Sequence, residues 1–80
     1  MYGVTALLEL PISEDPKLEQ METFLNLENA ISRANELLDI FVEEYGEDYS
    51  QKATTNNMMA IGYNGEVTWR AYIAKINNII

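Results

Sequence analysis

The sequence predicts an all-α fold, a compact bundle of three to four short helices, and three features carry that expectation. Asp15-Pro16 has the form of a helix start. Residues 27–45 place their apolar side chains on one face at helical spacing, and residues 58–80 do the same. The alternative is an α+β fold, with a strand over residues 4–10 beside a hairpin around Asn64-Gly65.

Taken in order, Val4 to Leu10 is an apolar run closed by Pro11, short enough to be either a strand or a helical turn. Asp15 can then cap a helix, and Pro16 suits its first position, where a missing N–H leaves nothing unpaired. A helix over 16–24 sets Leu18, Met21 and Leu25 on one side. From Leu27 to Tyr45 the apolar residues Leu27, Ile31, Ala34, Leu38, Phe41, Val42 and Tyr45 fall in a second arc. That arc lies roughly 140° from the first on a continuous helix, so one straight helix cannot bury both. The break belongs near Asn26, a good cap, with Glu28 favourably placed in the following first turn. Gly46 ends this second helix.

Residues 47–57 are polar and read as a loop. Beyond them Met58, Ile61, Trp69, Tyr72, Ile73, Ile76, Ile79 and Ile80 share an arc of about 120° at helical spacing. Gly62 and Gly65 fall on the same face, where they would let another helix approach closely. Asn64-Gly65 is also the best two-residue turn in the chain. A tight hairpin there would set Gly62 opposite Val67 and Tyr63 opposite Glu66, a weak alternation. Helix, kinked or broken at Asn64-Gly65, is therefore preferred.

Eighty residues make a single small domain, 1–80. The chain has neither cysteine nor histidine, so disulfides and the usual zinc ligands are excluded, along with the commonest general base and soft nucleophile. The glycines are isolated and form no phosphate-binding loop. The expectation is a non-enzyme without cofactor or metal. Glu43-Glu44 and Glu47-Asp48 lack the alternating ligands of a calcium loop. Residues 1–10 have no basic leader and carry Glu9, and no run approaches a membrane span, so a cytoplasmic location is expected.

Charge is lopsided. Residues 1–50 hold twelve of the thirteen acids against two bases, Lys17 and Arg33, in a chain of net charge −8. Phosphate-rich partners would be repelled, so neither direct nucleic-acid nor membrane binding is expected. On the 27–45 helix Glu28, Glu36, Asp39 and Glu43 fall within about 80° of arc, opposite the apolar stripe, and span roughly 22 Å. Glu44, Glu47 and Asp48 extend that acidic face. Asp39 and Glu43 repel each other as an i, i+4 pair, while Arg33 lies to the side, within reach of Glu36 or Glu44. Such a row of carboxylates suits a protein partner with a basic surface.

The pattern Ala34-x-x-Leu37-Leu38-x-x-x-x-x-Glu44-Tyr45, followed by Tyr63-Asn64 and a closing apolar segment, resembles small helical proteins of phages and conjugative elements of low-GC bacteria. The resemblance covers about residues 27–80 and implies a two-helix core without catalytic residues. In size, charge and setting the chain is also similar to anti-CRISPR and other anti-defence inhibitors. The first functional expectation is accordingly an acidic inhibitor that docks on a basic nucleic-acid-binding surface, as a nucleic-acid mimic. The alternative is a structural or assembly module, a homodimer joined through Trp69, Tyr72, Ile73, Ile76 and Ile80.

Overall fold

The structure, a computed structural model, describes residues 1–10 and 15–77. Its elements run β1 (Tyr2–Glu9), β2 (Lys17–Phe24), α1 (Leu27–Tyr45), β3 (Tyr49–Gln51), β4 (Met59–Tyr63) and β5 (Thr68–Lys75). The strands form one antiparallel sheet in the order β2-β1-β5-β4-β3, with α1 packed on one face. The fold is α+β, which overturns the expected helical bundle.

Two expected helices are strands. Lys17–Phe24 is built largely from residues with no strand preference, yet it pairs along β1 from Tyr2↔Phe24 to Leu8↔Lys17. Tertiary pairing overrides local propensity here. Leu18, Met21 and Leu25 pack into no core; they are 57%, 64% and 83% exposed. The expected 58–80 helix is instead the β4–β5 hairpin. Its turn takes four residues, 64–67, so Gly62 faces Trp69 and Tyr63 faces Thr68, not Val67 and Glu66. Asn64 holds that turn by accepting from the backbone N–H groups of Glu66 (3.0 Å) and Val67 (2.7 Å), and Gly65 supplies φ +90°.

The alternative α+β reading, a strand over 4–10 and a hairpin around Asn64-Gly65, corresponds to β1 and β4–β5. Of the expected helices, α1 is the one that the structure keeps. Asn26 caps it by accepting from the Asn29 N–H at 2.9 Å. Gly46, at φ +78°, ends it with its N–H donating to the Val42 carbonyl at 2.8 Å. Asn64 then donates through Nδ2 to the Tyr45 carbonyl at 3.1 Å, tying the hairpin turn to the helix end.

The core lies between α1 and the sheet. Val4, Ala6 and Leu8 of β1 alternate inward with Trp69, Ala71 and Ile73 of β5. Ala6, Ala71 and Ala60 stand side by side across three strands, and the equally buried Ala30 and Ala34 of α1 join the same core. Small residues on both layers bring the helix close. At Gly62 a Cβ would stand 2.7 Å from Phe41 and 3.0 Å from Leu38, so helix and strand touch where only hydrogen fits. Asn35 pins the loop that follows β3: its Oδ1 accepts from the Ala53 N–H at 2.7 Å, and its Nδ2 donates to the Ala53 carbonyl at 3.0 Å.

The alternation of β5 divides the residues expected at a self-association face. Trp69 and Ile73 are buried under α1, whereas Tyr72 points to the opposite side of the sheet and is 43% exposed. Ile76 follows the strand, half-buried, and Ile80 lies outside the described residues. Trp69 and Ile73 thus share one face and Tyr72 lies on the other. The reason is that residues three apart line up on a helix but fall on opposite faces of a strand, while residues four apart stay together. Among the described residues no helix is long and apolar enough to cross a membrane.

Candidate functional site

The seven acids singled out from the sequence are all exposed. Glu28, Glu36, Asp39 and Glu43 line the side of α1 turned away from the sheet, as the helical arc requires. The structure divides them by partner. Arg33 bonds Glu36 and also reaches Glu22 on β2 at 2.9 Å, which links helix to sheet. The hydrogen bond to Glu22 raises the Arg33 pKa above its ordinary value, with the nearby charges of Glu22 and Glu36 adding to it. Lys52 Nζ lies 3.9 Å from Asp39, although both side chains are about two-thirds exposed, so this contact is worth little. The central part of the stripe is thus partly neutralised.

The C-terminal end is different. Glu43 and Glu44 stand in the last turn of α1, followed by Glu47 and Asp48, and no basic residue shares that turn. A helix C-terminus carries partial negative charge, so carboxylates there are disfavoured by a few tenths of a kcal/mol each. The chain concentrates negative charge at the pole of α1 where it is least favourable. Among the described residues no three acids converge on a common metal position.

Beside that pole lies a groove of about 250 Å³ between the C-terminal half of α1 and the β1–β2 side of the sheet. Ala6, Leu8, Leu37 and Ile40 form its apolar wall. Phe41 stacks on Tyr45 at 5.0 Å and on Trp69 at 6.0 Å between ring centroids, and all three aromatic side chains contribute to the lining. Glu44 from the helix and Glu19 and Gln20 from β2 complete the rim. Glu19 reaches this side through a β-bulge. The pairing passes from Ala6↔Gln20 to Leu7↔Leu18, which leaves Glu19 as the extra residue and turns it toward the helix.

Of the seven acidic candidates, Glu44 alone lines the groove; Glu43, Glu47 and Asp48 lie nearby in the chain, and Glu28 is at the far end of α1. Glu19, Gln20, Phe41 and Tyr45 were not among the expected site residues. Phe41 and Tyr45 read as core, and nothing local marks a bulge at Glu19, because it depends on pairing with β1. Trp69, expected at a dimer face, instead forms part of the groove wall. Chemically the groove offers aromatic surface with carboxylates at its edge. That combination suits the stem and charge of a lysine or arginine side chain.

The chain matches no family model, no curated protein and no solved structure.

Proposed function

We propose that the chain is a non-enzymatic, acidic protein-binding module that inhibits its partner by occupying a basic surface used for nucleic-acid binding. The observation that carries this reading is the groove beside the acidic end of α1. Its Phe41, Tyr45 and Trp69 wall and its Glu19 and Glu44 rim would hold a lysine or arginine projecting from the partner. Glu43, Glu47 and Asp48 would then face the surrounding bases. The partner chemistry follows from the balance of charges: a net −8 attracts a basic protein and repels phosphate. Four acids over roughly 22 Å of helix are sparser than the phosphates of one duplex strand, one per about 3.4 Å. The reading is therefore a charged clamp on a basic surface, with mimicry limited to the sign of the charge.

Trp69 is the chain's one tryptophan, so its emission reports directly on the groove. Titration with an arginine-rich peptide should shift that emission saturably, and added salt should weaken binding. Replacing Glu19 and Glu44 together by Gln should weaken binding about tenfold or more, as expected for loss of charge-assisted contacts. An unchanged affinity in that double variant would remove the groove from the account.

A further inference from the structure

We propose that the face of the sheet opposite α1 is covered by a second copy of this chain, in a two-fold dimer packed sheet against sheet. An antiparallel sheet with one solvated face ordinarily alternates apolar-in and polar-out. Here the outward positions include Leu7, Leu18, Met21, Met59, Ile61 and Tyr72, all half-buried or exposed. The covered face sets Ala6, Ala60 and Ala71 across its centre, with the buried Val4, Leu8, Trp69 and Ile73 to either side. Larger apolar side chains of the outer strands stand on the side that, among the described residues, no helix covers.

Charge identifies the occupant. Among the strand residues of this face the charged ones are Glu9 and Arg70, and Arg70 Nη1 lies 2.7 Å from Glu9 Oε1, so the two compensate each other. The other strand charges belong to the helix side: Lys17 pairs with Leu8, Glu22 with Val4 and Lys75 with Tyr2, while Glu19 lines the groove. Two molecules of charge −8 repel through most orientations, but this face is electrically near neutral and, among its described strand residues, leaves no unpaired ion when buried. A basic partner would find no counter-charge on it. A second copy, presenting the same neutral apolar face, fits without repulsion.

The size is adequate. Five strands about 4.8 Å apart and up to about 27 Å long give roughly 500–600 Å² per copy, so a dimer would bury on the order of 1,000–1,200 Å², at the lower edge of specific interfaces. Side chains from two such faces interdigitate when sheets pack about 10 Å apart. β5 is the central strand of the five, so Tyr72 stands near the two-fold axis. The groove lies on the other side of the sheet and stays open in the dimer, so the two surfaces stand or fall separately.

Sedimentation equilibrium of the intact chain tests this. The mass should rise from 9.1 kDa toward twice that value over the micromolar range, and added salt, which screens the like charges, should favour the dimer. Tyr72→Lys should hold the mass at 9.1 kDa over the same range with an unchanged circular dichroism spectrum, while Glu28→Lys on the helix should leave dimerisation intact. A wild-type mass fixed at 9.1 kDa up to about 200 µM would overturn the proposal, as would a dimer that survives Tyr72→Lys in folded form. Should Tyr72→Lys fail to fold, a mixture of labelled and unlabelled wild-type chains gives the same decision. Intermolecular NOEs between Tyr72 and residues of the same face support the dimer. NOEs confined to the β2 edge or to α1 place the interface elsewhere and refute it.

Discussion

The two faces of the sheet are made from the same strands and differ in nearly every property. Under α1 the sheet presents alanines at 6, 60 and 71 and a glycine at 62, flanked by the buried Val4, Leu8, Trp69 and Ile73, and Leu38 and Phe41 of the helix fill the space over Gly62. On the other face the strands carry leucine, methionine, isoleucine and tyrosine, with a single compensated ion pair. Most of the acids gather on and around α1. The chain thus separates what it offers to a basic partner from what it offers to an apolar one, and the sheet is the boundary. Strand alternation makes this possible, because neighbouring positions of one segment can serve opposite surfaces.

Substitutions should separate the faces by size of effect. Phe41→Ala removes the ring that packs on Tyr45, Trp69 and Gly62, and should destabilise the fold by about 3–5 kcal/mol in urea unfolding. Gly62→Ala places a methyl group 2.7 Å from that ring, and a loss of about 1–3 kcal/mol is expected by the same measurement. Asn35→Ala leaves the buried Ala53 backbone without its partners and should lower stability by about 1–2 kcal/mol. The open face should respond least as a fold. Measured at concentrations where the chain is monomeric, Tyr72→Ser should shift stability by no more than about 0.5 kcal/mol, as an exposed position permits. A large loss at Tyr72 would mean that the open face supports the monomer, and the contrast between the faces would collapse.

The same contrast explains what the sequence disclosed. The α1 helix could be read with both of its ends, because Asn26, the apolar arc and Gly46 act within a few residues of one another. The hairpin was signalled by Asn64-Gly65, but Trp69, Tyr72, Ile73 and Ile76 also satisfy helical spacing, and Ala71 is too small to assert the strand period. β2 was hidden more completely. Its charges and glutamine suit a helix, and what makes it a strand is a partner, β1, that must itself be held by β5 more than sixty residues away. Gly62 was read as a point of close approach, and it is one, with α1 against a strand in place of helix against helix. The groove followed the same rule. Glu44 could be proposed from the charge pattern, whereas Glu19 enters through a register shift that no local signal marks.

The most direct measurement is a map of amide and methyl chemical-shift changes as an arginine-rich peptide is added to the labelled chain. The account predicts changes concentrated at Leu37, Ile40, Phe41 and Tyr45, with Leu7, Ile61 and Tyr72 left unmoved. Changes centred on the open face, or spread evenly over all the exposed acids, would contradict it.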